Sequence, residues 1–293
     1  MRILLVGGTG FIGSVVVRQL AIAGHDVAIF HRGSTRADLP PTVREFIDPL
    51  SVLPIEKFPR ELFEFLPEIV VHTMAMGERD TRAATAAFNG VASRFVLLSS
   101  GDVYRAYGRF TGIEPGPVEE GLLSENSPLR TVRFPYRRRS ASSDVLEYWY
   151  EKVLAEETAL NSGMQATVLR LPKVYGPGNN ANLATVYAYR NQPNWRWTHG
   201  YVGNVAAAVV LAATDLRAAG RIYNVGEAYT PTIAERLEWM PPSEVKTDDE
   251  GSFNFAQNIA YDTSRVRNEL GYQEMVSEKE AMLQTLRQKQ ASD

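Results

Sequence analysis

The chain opens on an apolar run of strand length, Arg2-Ile3-Leu4-Leu5-Val6, followed at once by Gly7-Gly8-Thr9-Gly10-Phe11-Ile12-Gly13. Val15, Val16, Val17, Leu20 and Ala21 then recur at helical spacing, Gly24-His25-Asp26 breaks the pattern, and Val27 to Phe30 reads as a second strand. The alternation continues. Val43 to Ile47 reads as a third strand with Asp48 at its end, Glu68 to His72 as a fourth and Arg94 to Leu98 as a fifth, with an Ala-rich helix over Arg79 to Phe88. Residues 105–143 are rich in Gly, Pro, Arg and Ser and carry no clean period. Beyond them the pattern predicts a helix from Asp144 to Leu160 with Ser143 as its N-cap, and a strand from Thr167 to Leu171. An Ala-rich helix from Val205 to Ala213, capped by Asn204, and a strand from Ile222 to Val225 complete the readable part.

Strands alternating with helices predict an α/β chain on a doubly wound parallel sheet, and the continuous apolar strands suit a sheet covered on both faces. The first strand–glycine turn–helix–strand unit has the form of a Rossmann dinucleotide-binding unit. Gly7 permits the sharp exit from the strand, Gly10 lets backbone approach a pyrophosphate, and Gly13 lets the helix pack tightly, its N-terminal N–H groups facing the negative charge. The expected division is a dinucleotide-binding domain over 1–172 plus about 200–225, interleaved with a small C-terminal substrate lobe over about 173–199 and 226–293.

The second strand ends in Phe30-His31-Arg32-Gly33, without the carboxylate that bonds the adenosine ribose in NAD-binding chains. Arg32 either pairs with a 2′-phosphate, which favours NADP over NAD, or stacks on the adenine or points to solvent. Asp48 stands where an acid bonds the adenine amino group, or is a turn residue before Pro49. In the long loop, Arg130, Arg133, Arg137, Arg138 and Arg139 form either a solvated basic surface or a lid that clamps an anionic group. Tyr187, Tyr189, Trp195 and Trp197 suit either a sugar or nucleobase face or plain packing.

Composition narrows the classes. With 293 residues, 44% hydrophobic and 22% charged, the chain can bury a sizeable core. A net charge of -3 gives no reason to expect nucleic acid or an anionic membrane as partner. No cysteine is present, and His25, His31, His72 and His199 match no metal spacing, so no metal site is expected. No apolar run is long enough to span a membrane and none reads as a signal peptide, so a cytoplasmic location is expected.

Four motifs occur in a fixed order: Gly7 to Gly13; Ser99-Ser100 with Val103-Tyr104; Tyr148-x-x-x-Lys152; and Arg170 with Val174-Tyr175-Gly176-Pro177-Gly178. In this order they resemble the extended short-chain dehydrogenase/reductases, the NAD(P)-dependent epimerase/dehydratase group that acts largely on nucleotide sugars. The resemblance runs from Met1 to about Leu216, and more faintly to Tyr272. It implies Tyr148 as acid/base, Lys152 as its electrostatic partner and as a ligand of the nicotinamide ribose, and Ser100 as the hydroxyl facing the reacting oxygen. The glycine segment, with Phe11 and Ile12 at the helix start, is implied to hold the cofactor. Tyr148 and Lys152 are four apart, so one helix face would carry both, while Tyr150 reads as packing. Dehydratases of this group carry an Asp-Glu pair after the Ser/Thr, where this chain has Gly101 and Asp102, which weighs against water elimination. The implied function is an NAD(P)-dependent oxidoreductase or epimerase on a hydroxyl or keto group of a sugar-like substrate. A homodimer is compatible with this. The alternative is a non-catalytic dinucleotide sensor or RNA-associated protein on the same fold.

Overall fold

The computed structural model describes residues 1–137, 140, 142, 145–248 and 253–292. In chain order come β1 (Arg2–Val6), α1 (Phe11–Ile22), β2 (Asp26–His31), β3 (Arg44–Ile47), α2 (Glu61–Glu64), β4 (Ile69–His72), α3 (Glu78–Phe88) and β5 (Arg94–Ser100). Then follow α4 (Arg105–Phe110), α5 (Leu146–Trp149), α6 (Lys152–Leu160), β6 (Gln165–Leu171), β7 (Lys173–Tyr175) and α7 (Ala184–Tyr187). The chain closes with β8 (His199–Tyr201), α8 (Val202–Thr214), β9 (Ile222–Asn224), α9 (Ile233–Leu237), α10 (Ser264–Leu270) and α11 (Glu278–Ser292). Two units are formed: residues 1–100, 133–170 and 206–223 in the first, and 101–132, 171–205 and 224 onward in the second.

The first unit holds the sheet, in the order β3-β2-β1-β4-β5-β6-β9. The pairs β1–β2, β1–β4, β2–β3 and β4–β5 are parallel, with Leu4 opposite Ala28 on one side and Val70 on the other. The continuous apolar reading of these strands is met: Ile3 to Val6, Val27 to Phe30 and Phe95 to Leu97 are all buried. Below the sheet Phe30, Phe88, Phe95, Leu62 and Phe65 share one core. At the start of β5, the Arg94 guanidinium donates to the carbonyls of Ala212 (2.5 Å) and Ala213 (2.9 Å), satisfying acceptors at the end of α8. The strand order reverses between β2 and β4, with β1 as the pivot. The crevice at the C-terminal ends of β1 and β4 is therefore the ligand position of a doubly wound sheet.

One buried ionic cluster fixes β5 and β6 to α6. Glu156 receives the guanidinium of Arg170 (2.7 Å) and the hydroxyl of Ser99 (2.5 Å), all three side chains being buried. A desolvated ion pair is tolerated when further hydrogen bonds use the remaining lone pairs, as the Ser99 hydroxyl does here.

Two expectations are corrected in the second unit. Residues 101–132, placed by sequence with the dinucleotide-binding part, group with the second unit instead. The cause is hydrogen bonding: Tyr104 donates to Asn224 Oδ1 (2.6 Å), Leu123 N–H to Ala260 O (2.8 Å) and Asn254 N–H to Phe110 O (2.8 Å). Asn204 does not cap α8, which begins two residues earlier. Its side chain instead accepts from the N–H groups of Met275 (3.0 Å) and Val276 (3.2 Å) and donates to Val276 O (2.7 Å), anchoring the approach to α11.

Candidate active site

The glycine turn is shaped by close contacts at Gly7 and Gly13. Gly7 adopts φ +99°, and a Cβ there would fall 2.0 Å from Thr73 Oγ1. Thr73, just past β4, explains the crowding: its N–H and its hydroxyl both donate to Val6 O, at 3.0 and 2.9 Å. A Cβ on Gly13 would meet Gly8 Cα at 2.8 Å, so α1 sits directly on the turn. Gly10 differs, since a Cβ there would meet nothing within 4 Å. No side chain caps α1 and no acid lies in its first turn, where Phe11 and Ile12 are half-buried. This is a cradle with open space at Gly10 and uncommitted N–H donors beside it, and it fits a dinucleotide pyrophosphate.

At the end of β2, the His31 ring bonds Glu45 (3.1 Å) and accepts from Gly33 N–H (3.1 Å). Arg32 beside it is half-buried and, among the described residues, makes no hydrogen bond or ion pair. Asp48 lies next to His31, donating its N–H to His31 O (3.1 Å), while Oδ1 accepts from Leu50 N–H (3.0 Å) in a local turn. The structure therefore brings Arg32 and Asp48 to the ends of adjacent strands.

The two serines of β5 separate by strand alternation. Ser99 points into the buried Glu156 cluster, whereas Ser100 is partly exposed at the strand end. The expected helix over 144–160 is broken, and its proposed cap Ser143 and first residue Asp144 lie outside the described residues. Within the described part, α5 stops at Trp149 and α6 starts at Lys152, with Tyr150 and Glu151 in non-helical conformations between them. Tyr148 and Lys152 do not share a helix face.

The break has a tertiary cause. Glu151 gives its N–H to Met76 O (2.8 Å) instead of continuing the helix, and its buried carboxylate caps α6 at Val153 N–H (3.1 Å) and also accepts from Phe134 N–H. Tyr148 lies under the Arg137 guanidinium (4.5 Å to the ring centroid), and Trp149 under that of Arg79 (4.5 Å). Lys152 is buried, and its ammonium donates to Leu98 O (2.9 Å) and to Ala75 O. Its ammonium lies 5.7 Å from the centroid of the Tyr150 ring.

Two buried groups that sequence reading passed over sit beside Lys152. Asp80 accepts the N–H groups of Gly77 (3.0 Å) and Thr81 (2.9 Å), and also that of Met76. Burial pushes its carboxyl up from the usual value, while these N–H groups and Lys152 oppose the rise. The Gly77-x-x-Asp80 spacing is the signal that would have found it, since an acid at N3 of a helix can reach back to the cap. His72 is wholly buried, and burial, with Lys152 as a second cause, pushes its pKa down to about 3, so the ring is neutral.

In the second unit, Gly101 follows Ser100 in the chain and faces Tyr261. A Cβ on Gly101 would stand 1.3 Å from the Tyr261 hydroxyl. The phenol thus fills the space a carboxylate side chain at 101 would need, which gives the missing acid a physical reason. The arginine lid dissolves into separate contacts. Arg130 is buried and donates to Asp102 O (2.6 Å) and Val132 O (2.5 Å). Arg133 pairs with Glu157 (3.1 Å), and Arg137 stacks on Phe134 (3.6 Å). Arg138 and Arg139 lie outside the described residues. The segment thought to lack period also contains α4. Of the aromatics, Trp195 is buried and bonds Gln257 O (2.8 Å), Tyr187 bonds Pro241 O (2.6 Å), and Phe110 stacks on Trp195 at 4.8 Å, which is packing. Among the described residues no cluster of side chains could hold a metal ion. No described helix is long and apolar enough to cross a membrane.

With this geometry in hand, comparison with known proteins is specific about the family. The model of the NAD dependent epimerase/dehydratase family matches residues 3–226, and the chain belongs to that family. Its members are nicotinamide-dinucleotide enzymes of the extended short-chain dehydrogenase/reductase type, and the cradle described above fits that cofactor. Among curated proteins no relative matches. The fold is similar to that of Pal from Bacillus thuringiensis (TM-score 0.74, 18% identity, all of both chains covered). It is also similar to the UDP-glucose 4-epimerase of Thermus thermophilus, solved with NAD (TM-score 0.70, 22% identity, 100% of both chains). A third likeness is to the dTDP-glucose 4,6-dehydratase of Bacillus anthracis, also solved with NAD (TM-score 0.71, 17% identity, 100% of this chain and 97% of that one).

The fit of Tyr261 against Gly101 predicts a coupled pair. Gly101→Ala should destabilise the chain by ~1–3 kcal/mol through overpacking. In the Tyr261→Leu background the same change should cost clearly less, a coupling readable by denaturant titration of the four proteins. Equal costs in both backgrounds would mean that the phenol does not occupy that space.

Proposed function

We propose that this chain is an oxidoreductase or epimerase that prefers NADP and acts on a hydroxyl or keto group of a sugar-like substrate, nucleotide sugars included, in the cytoplasm. The observation that carries the reading is the buried ammonium of Lys152, held between the loop after β4 and the strand β5 in the unit that contains the glycine cradle. A dinucleotide sensor needs no such buried ammonium near a tyrosine ring.

A nicotinamide dinucleotide held at the glycine cradle would supply the hydride acceptor and donor for the substrate carbon. The residues of the chain handle the proton. Ser100 donates to or accepts from the reacting oxygen and so orients it. A tyrosine phenolate takes the alcohol proton as hydride leaves, and returns it in the reverse direction. Lys152 favours the phenolate, since a cation within about 4–6 Å stabilises the charged form. The family motif selects Tyr148 for this role, while the 5.7 Å from the ammonium to the Tyr150 ring favours Tyr150 as a second candidate.

The role is tested with a substrate found by thermal-shift screening of nucleotide sugars and aldehydes. Tyr148→Phe should lower kcat by ~10²–10⁴-fold and leave cofactor affinity unchanged. The same loss in Tyr150→Phe alone would move the role to Tyr150, and full turnover in both variants would overturn the acid/base reading.

The cofactor preference rests on Arg32, which has no partner among the described residues. Charge-assisted hydrogen bonds to a 2′-phosphate are worth roughly 1.5–3 kcal/mol, or about 10- to 150-fold in affinity. Calorimetric titration should therefore find NADPH bound more tightly than NADH, and Arg32→Ala should remove most of the difference. Equal or tighter binding of NADH would withdraw the NADP assignment.

A further inference from the structure

Asp80 and Lys152 meet through a single peptide, the one joining Ala75 to Met76. On one side the Met76 N–H donates to Asp80 Oδ2, and on the other Ala75 O accepts from the Lys152 ammonium. Both side chains are buried, Asp80 wholly. Asp80 Oδ1 also accepts from Gly77 N–H (3.0 Å) and Thr81 N–H (2.9 Å), and the ammonium also donates to Leu98 O (2.9 Å). Three N–H donors around one carboxyl favour its ionised form. The peptide is thus polarised from both ends, with negative charge at its N–H and positive charge at its C=O. In such a chain each hydrogen bond strengthens the next.

The other ionisable groups on the elements around Lys152 have engagements of their own. His72 of β4 is neutral, the Glu151 carboxylate takes the N–H groups of Val153 and Phe134, and Glu156 of α6 is matched by Arg170 of β6. Tyr148 lies beneath Arg137, and Tyr150 offers its ring. On the exposed side of α3, Glu78 pairs with Arg82 and Arg79 with Glu56. Asp80 is an acid whose own ionisation responds to the lysine: burial raises its carboxyl, and the Lys152 charge is among the causes that oppose the rise. We propose that Asp80 is the positioning residue of Lys152: through the peptide between them it fixes the ammonium against β5 and supplies the counter-charge that keeps it protonated. This extends the role given to Lys152 above and rests on it. An ammonium stripped of water gives up its proton more readily, and a neutral lysine would no longer favour a phenolate.

The first arm of the test needs no substrate. In protein made with isotope-labelled lysine, the Lys152 ammonium is titrated by NMR, its signal assigned by its absence in Lys152→Met. Asp80→Asn keeps a carbonyl oxygen for Gly77 and Thr81 and turns an amide NH2 towards Met76, so the cap survives and the charge is lost. In that variant Lys152 should lose its proton about one pH unit lower than in the wild-type chain. Asp80→Glu, whose carboxylate can still reach back to the cap, should hold it near the wild-type value. Coupling is reciprocal, so in Lys152→Met the Asp80 carboxyl should titrate higher by the same amount, a reading that stands even where Asp80→Asn does not fold. In the second arm, with a substrate found by the thermal-shift screen, the alkaline limb of kcat against pH should move down equally in Asp80→Asn. An unmoved Lys152 in folded Asp80→Asn, or an unmoved Asp80 carboxyl in Lys152→Met, would reduce Asp80 to a helix cap and overturn the proposal. A Lys152 titration that moves while the kcat profile stays in place would uphold the coupling and strike instead the use of Lys152 in the proposed function.

Discussion

The constraint on which the rest depends is the close approach of Gly7 and Gly13 to their neighbours where β1, α1 and the segment after β4 meet. Val6 O accepts both the N–H and the hydroxyl of Thr73, which leaves no room for a side chain on Gly7. Gly13 sits on Gly8 in the same way. These contacts set the angle at which α1 leaves the sheet and point its first N–H groups over the crevice. Once that angle is set, the parallel register carries His31, Arg32 and Asp48 to the ends of β2 and β3 on the same edge of the sheet.

The far side of the crevice is governed by charge. Lys152 is buried, and the carbonyls of Ala75, in the loop after β4, and of Leu98, in β5, accept from it, an arrangement that ties that loop to β5 through one ammonium. In a low-dielectric interior that charge reaches its neighbours. It opposes the rise that burial imposes on Asp80, and it adds to the desolvation that keeps His72 neutral. Glu151, one residue earlier, locks the same junction from the other direction through Met76. The helix therefore starts at the lysine, where the chain has to turn.

This explains which features were legible in the sequence. The strands were, because a strand buried on both faces must be apolar throughout; β1 coincides with its expected limits, and β2, β4 and β5 fall within two residues of theirs. The glycine segment was legible because Gly7 and Gly13 have no room for a Cβ, against Thr73 and Gly8. The break between α5 and α6 was not. Tyr148 to Leu160 contains no proline or glycine, and the interruption is made by Met76, more than seventy positions earlier in the chain. Tyr261 and Gly101 were equally hidden, since neither residue carries a local sign of the other. Arg130 read as surface charge or as part of a lid because its partners are backbone carbonyls, which have no sequence signature.

The central claim is that the crevice beside Gly10 holds a nicotinamide dinucleotide. Gly10 is where this can be tested without disturbing the fold, because its backbone is extended (φ -76°) and a Cβ there meets no atom within 4 Å. The measurement is dinucleotide affinity by calorimetry in Gly10→Val, with thermal unfolding of the same sample as the control. The account predicts a melting temperature near that of the wild-type chain and binding of NADPH and NADH too weak to detect. Wild-type affinity in a folded Gly10→Val protein would contradict it, and would place the cofactor away from the glycine turn.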